Sequence, residues 1–178
     1  VTPVAVITTG ETTKAGVSSP VLLPDVAVLD AALTLGLPPA VTAMTGVDAM
    51  VHAIEAYTSR HQKNLISDHL ARQALDLLAR NIRTAVHDGS NREARENMLL
   101  GACLAGQAFA NAPVAAVHAL AYPLGGHYHI PHGLSNSLVL PAVLEFNAPE
   151  ACELYAQLAE LVVAEPVTGS AQAKTQAL

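Results

Sequence analysis

The chain has 178 residues, of which 51% are hydrophobic, 13% charged and 3% aromatic, and its formal net charge is −6. It is long and apolar enough for one good core, which excludes a disordered chain. The acidic balance offers no broad basic surface for nucleic acid, and no stretch reaches the length of a clean membrane span. Val4 to Thr8 is a β-branched run broken by Gly10, the pattern of a strand and a turn. Lys14 follows in a polar stretch, where a solvated lysine is the ordinary expectation. Val21 to Leu29 is a second extended piece, and Pro20 and Pro24 make it an edge or irregular strand. Asp30 can cap a short helical turn over Ala31 to Leu35, which Gly36 closes.

From Pro38 onward the pattern is helical. Pro38 and Pro39 open a helix that runs to about Tyr57, with Gly46 as a kink or restart. After a polar loop, Ser67 is placed to cap the next helix, with one apolar face through Leu70, Ala74, Leu77, Leu78 and Ile82. Gly89 ends it, and Asn91 can cap a mostly buried helix reaching Phe109, in which Gly106 marks close approach of another backbone. Asn111 and Pro113 break the chain before the run that carries His118, and a Pro-Leu-Gly-Gly turn follows. His132 starts a helix to about Asn147, and Pro149 opens a last one through Leu161. Beyond Glu165 the sequence PVTGSAQAKTQAL lacks a periodic apolar face and is expected to be a disordered tail. With no Trp and few aromatics, the core must be aliphatic and alanine-rich, which suits close helix packing. Cys103 and Cys152 fit reduced buried thiols, and with no visible signal peptide a cytoplasmic protein is expected.

The chemistry-bearing residues cluster in two stretches, TGVDAMVHAIEAY and VHALAYPLGGHYHIPHG. Asp48 and His52 are four residues apart, so on a helix they stack one turn apart on one face. A carboxylate among Val47, Met50, Val51, Ala53 and Ile54 must be paired or bound to something. His118 lies in a second apolar run, and His132 sits between Pro131 and Gly133 at a helix start. A helix start disfavours imidazolium and leaves a neutral ring free to coordinate. Asp48 with His52, and His118, each have a plain structural explanation alone: a helical pair and a core histidine. Together, one carboxylate and three imidazoles from three segments form a ligand set for a divalent metal such as Zn or Fe(II). His127 and His129 are expected to be solvated, and Glu55 solvated or locally paired.

These two stretches resemble the iron-containing (group III) alcohol dehydrogenase family. Three further blocks agree in order and spacing: LPDVAVLDAALTLGLPPAVTA, SDHLARQALDLLARNIRTAV and REARENMLLGACLAGQAFANA. The resemblance covers roughly Val4 to Glu160. It implies a mainly α, helical bundle-like metal-binding domain of the dehydroquinate synthase-like fold over residues 36–165. A short β portion of the nucleotide-binding region would occupy 1–35, and the tail 166–178. The implied ligands are Asp48, His52, His118 and His132, holding Fe(2+) or Zn2+. NAD(P) is the implied cosubstrate, with Lys14 on its ribose or phosphate side and Leu33 touching it. The sequence alone favours a surface lysine at 14, and at Leu33 it supports simple packing at least as well.

Many members carry HALAHPLGG where this chain has HALAYPLGG. Tyr122 therefore stands where a family His lies near the nicotinamide as a candidate proton relay. Tyr can donate a hydrogen bond, but its ordinary pKa is about 10. The implied activity is alcohol/aldehyde interconversion by hydride transfer, with the metal as Lewis acid on the substrate oxygen. The family carries a dinucleotide-binding domain before this region and further helices after it. The chain therefore looks truncated at both ends and is expected to turn over little alone. The alternatives are a maleylacetate reductase-like enzyme, a non-catalytic metal-binding helical module and a metal-assisted hydrolase. Substrate alcohol, NAD against NADP, and oligomeric state are left open, with a homodimer as one candidate.

Overall fold

A computed structural model describes residues 2–10, 14–163 and 167–178, without the side chains of Thr8 and Lys14. An antiparallel hairpin comes first, β1 (Val4–Thr8) paired with β2 (Lys14–Ser18) in the register Val4 to Ser18. The expected second extended piece does not form a strand. Ser19 instead caps a 3-10 turn at Pro20–Leu22, because Pro20 lacks the N–H that a sheet ladder needs. Asp30 does cap the turn Ala31–Thr34, accepting from the Ala32 N–H at 2.9 Å.

Three long helices form the body: α1 (Pro39–Tyr57), α2 (Leu65–His87) and α3 (Arg92–Asn111). Their shared core is alanine-rich, with Ala53, Ala71, Ala74, Ala105 and Ala108 wholly buried around Leu75 and Leu78. Small side chains at the contacts let the helix axes come close. Gly101 serves the same end, since a Cβ there would meet Leu78 Cγ at 2.8 Å. α1 passes Gly46 as one helix, so of the expected kink or restart the restart is absent. Asn64, not Ser67, caps α2: its side chain accepts from the Ser67 N–H at 2.9 Å. Asn91 caps α3 as its position suggests. The buried Arg95 ties this end together, donating to Thr42 Oγ1 at 2.7 Å, Gly89 O at 3.1 Å and Leu37 O at 3.3 Å.

The second half departs further from the sequence expectation. α4 (Ala116–His127) continues through the Pro-Leu-Gly-Gly stretch instead of turning there. Ala121, Gly125 and Gly126 are buried in it, and tertiary packing overrides the weak helix propensity of proline and glycine. α5 (His132–Val162) is one continuous helix where two were expected. Pro141 and Pro149 lie on its exposed side, so the carbonyls they free one turn back can face water. The tail also departs from the expected disorder. Ser170 caps α6 (Ala171–Ala177), which packs on α5 through Thr175 to the Cys152 carbonyl at 2.8 Å and Lys174 to Glu160 at 2.6 Å. Among the described residues, no single helix is long and apolar enough to cross a membrane.

Candidate metal centre

The three helices that approach one another at Val51, Val117 and Val143 are α1, α4 and α5. That small apolar cluster fixes which polar side chains meet beside it. α1 presents Asp48 and His52 one turn apart, α4 presents His118 from its first turn, and α5 begins at His132. Gly133 makes the last approach possible. A Cβ there would lie 2.2 Å from the Met44 carbonyl oxygen, so α5 rests directly on the backbone of α1.

The donor atoms converge. Asp48 Oδ1 lies 3.6 Å from His118 Nε2, 3.6 Å from His132 Nε2 and 4.0 Å from His52 Nε2. The ligand atoms of Asp48, His52 and His118 all lie within 4.8 Å of one another. Ligands bound at roughly 2.1 Å to one tetrahedral ion sit roughly 3.4 Å apart, so the spacing suits a shared divalent ion after small movements. Asn136 gives a direct test of that fit. Its Nδ2 donates to Asp48 Oδ1 and lies 3.3 Å from both His118 Nε2 and His132 Nε2. One electropositive atom can therefore address three of the four donors at once. Its buried Oδ1 finds no hydrogen-bond partner among the described residues. One carboxylate with three imidazoles is a donor set that Zn and Fe(II) both accept.

The electrostatics separate the rings. Burial works against the Asp48 carboxylate, yet the His118 hydrogen bond, with His52, His132 and Asn136, holds it below the ordinary carboxylate value. Burial also opposes the His118 cation, but the Asp48 and Glu55 carboxylates outweigh it and push that ring up to about 9. At His52 burial wins: Asp48 compensates only partly, His118 and His132 repel, and the ring is pulled down to about 4. Two histidines around one carboxylate thus favour opposite protonation states.

Aromatic rings close the sides. His52 stacks on Phe109 of α3 and on His118, each with centroids 4.6 Å apart. Tyr122 stacks on His132 at 6.1 Å, which brings it to the edge of the cluster. A cavity of about 480 Å³ opens beside Asp48 and His52, walled by Cys103 and Phe109 of α3 and by the 27–29 segment. Leu33 lies away from this cluster, 83% exposed on its 3-10 turn. The Lys14 side chain lies outside the described residues. His127 and His129 are exposed as expected, although His127 is the last residue of α4 and not part of a loop.

Sequence reading missed two residues. Glu55, expected to be solvated or locally paired, is buried and holds the distant Val117 N–H and His118 Nδ1, both at 2.7 Å. Asn136 is the other. Helical spacing carries the signal for both: Glu55 is three residues past His52 on α1, and Asn136 four past His132 on α5.

Comparison with known proteins shows the family. Residues 42–178 match the model of the Fe-containing alcohol dehydrogenase family, C-terminal part. The chain belongs to the iron-containing alcohol dehydrogenase family. It is 53% identical over 136 residues to a long-chain-alcohol dehydrogenase of Geobacillus thermodenitrificans, covering 76% of this chain and 34% of that protein. It is 48% identical over 147 residues to a 1,3-propanediol dehydrogenase of Klebsiella pneumoniae, covering 83% of this chain and 38% of that protein. Among solved structures, a 1,3-propanediol oxidoreductase superposes with a TM-score of 0.92 at 43% identity, over 99% of this chain and 46% of that one. The chain thus spans between a third and a half of the length of these relatives. The mainly helical family fold is as the resemblance implied.

Proposed function

We propose that this chain carries the metal-binding half of an NAD(P)-linked, metal-dependent alcohol dehydrogenase that interconverts an alcohol and an aldehyde by hydride transfer. The observation that carries the proposal is that the ligand atoms of Asp48, His52 and His118 lie within 4.8 Å of one another, with His132 Nε2 3.6 Å from Asp48 Oδ1. In this reading those four side chains hold Fe(2+) or Zn2+. Bound there, the ion supplies Lewis-acid polarisation of the substrate oxygen.

The chain's own residues do the positioning. Asp48 brings the negative charge that favours a cation, and burial of His118, only 5% exposed at its side chain, strengthens their attraction. Phe109 covers one face of His52 and keeps water from that side. Tyr122, beside His132, is the proposed hydrogen-bond donor to the substrate oxygen, in place of the histidine common in the family. The apolar wall of the neighbouring cavity suits the carbon chain of a small alcohol or aldehyde. Leu33 and Lys14 are proposed to face NAD(P), Leu33 because so much of its side chain is open to contact. A cytoplasmic homodimer completes the reading.

The test is metal content per chain by elemental mass spectrometry, on protein purified without chelator. About one iron or zinc per chain, lost in Asp48→Ala and in His132→Ala, is expected. Metal retained by both variants overturns the ligand assignment. Metal bound without alcohol-dependent NAD(P)H formation, in protein that includes a dinucleotide-binding domain, would favour a non-catalytic binding module.

A further inference from the structure

Glu55 uses both of its carboxylate oxygens, and neither faces solvent. Oε1 accepts from the Val117 N–H and Oε2 meets His118 Nδ1, each at 2.7 Å, with the side chain 6% exposed. Val117 is in the first turn of α4, where backbone N–H groups have no partner within the helix. The residue before α4, Ala115, offers no side-chain cap. The cap therefore comes from another helix, and the same carboxylate grips the next residue's imidazole.

Resting on the metal-site reading above, we propose that Glu55 is a positioning residue for the metal. It docks the start of α4 on α1 and, with a metal bound, keeps the His118 proton on Nδ1, which leaves the Nε2 lone pair for the ion. A ring nitrogen that donates to a carboxylate leaves the other nitrogen more basic and correctly aimed. Glu55 also adds a second negative charge close to the ion. With Asp48, two carboxylates then balance a divalent cation.

Geometry makes Glu55→Gln a sharp variant, because an amide cannot serve both partners. If its oxygen keeps the Val117 N–H, its NH2 faces His118 Nδ1 and drives the ring proton onto Nε2, where the metal must bind. If the amide is reversed, NH2 meets N–H at Val117 and the cap is lost. A purely structural Glu55 would lower the melting temperature while leaving zinc affinity per folded chain unchanged. A positioning Glu55 moves the affinity itself.

The experiment is competitive Zn2+ titration of the full chain and its Glu55→Gln variant at neutral pH, with folding followed by circular dichroism. Zinc affinity is expected to fall about 10- to 100-fold in the variant. Unchanged affinity in a folded variant overturns the inference while leaving the metal site standing. Failure of the wild-type chain to bind Zn2+ at all overturns the metal reading and this inference with it. Should the variant not fold, 15N NMR of the zinc-loaded wild-type chain decides. Zinc on His118 Nε2 with a protonated Nδ1 is expected, and zinc on Nδ1 refutes the proposal.

Discussion

Both halves of the candidate centre are carried on helices, but the helices are held in different ways. α1 is buried along much of its length, with Val51, Ala53 and Ala56 showing no exposed surface. Asp48 and His52 ride on it as passengers of a helix whose position the α1–α2–α3 core already fixes. His118 and His132 come from the opening turns of α4 and α5, neither of which has a side-chain cap of its own. Those helices leave large apolar groups in the open, with Leu120 at 55%, Leu138 at 58% and Phe146 at 84% exposure. The difference teaches that the site is assembled by docking two helix starts onto a finished helix. Three contacts do it: the Val51–Val117–Val143 cluster, the Glu55 clamp, and the seat of Gly133 on Met44.

The largest break in that arrangement should come from Gly133→Ala. The added Cβ would sit 2.2 Å from Met44 O and 2.7 Å from Met44 C, atoms of a helix backbone that cannot rotate away. α5 must lift off α1, and His132 goes with it. Overpacking of this kind costs about 1–3 kcal/mol. The expected outcome is loss of metal retention with a partly preserved fold, because the α1–α2–α3 core is remote from the clash. It is read by elemental analysis beside urea unfolding. Wild-type metal content in Gly133→Ala would mean that the seat does not aim His132.

A milder perturbation is pH, applied to chelator-treated protein. The folded His118 lies at about 9, above its ordinary 6.5, so its contribution to stability is complete below about 6.5 and is lost as pH rises towards 9. The folded His52 lies at about 4, so its contribution is complete above 6.5 and is lost as pH falls towards 4. Asp48, held below its ordinary 3.8, adds loss only in stronger acid. The two histidines therefore predict a stability maximum near pH 6.5, falling on both sides. Urea midpoints between pH 4 and 9.5 would show it. His118→Gln should flatten the alkaline limb, and a midpoint that climbs steadily through pH 9 would contradict the assignment of charge to His118.

The same contrast explains what the sequence could disclose. The helices of the α1–α2–α3 body were legible because their apolar residues recur at helical spacing and two of their starts carry Pro39 and Asn91 in ordinary roles. The four proposed ligands were legible because a carboxylate in apolar surroundings and three imidazoles make a metal donor set, and because their order and spacings resemble those of the family. What escaped lies where tertiary contact decides. Pro123, Pro141, Pro149 and the Gly125–Gly126 pair signal breaks, yet α4 and α5 run through them. Ala171–Ala177 has no apolar stripe and is nonetheless a helix docked on α5. Glu55 escaped because its partners are more than sixty residues away, although its place on the face of α1 shared with His52 was visible.

The smallest effect, and the finest test of the comparison, is Gly46→Ala. Gly46 lies inside α1 as Gly133 lies inside α5, and both look crowded: a Cβ at 46 would meet Met98 Cε at 2.8 Å and Ile82 Cδ1 at 2.9 Å. Those atoms are ends of flexible side chains, not backbone. Met98 can swing aside through three rotatable bonds, and Ile82 through two. Against that modest repacking, alanine in a helix interior is favoured over glycine by about 1 kcal/mol. The two effects should nearly cancel, leaving stability within about 1 kcal/mol of the parent and metal content unchanged. If Gly46→Ala instead lost its metal as Gly133→Ala is expected to, α1 would not be the fixed platform of the site. The docking of α4 and α5 would then be only one of several adjustable parts.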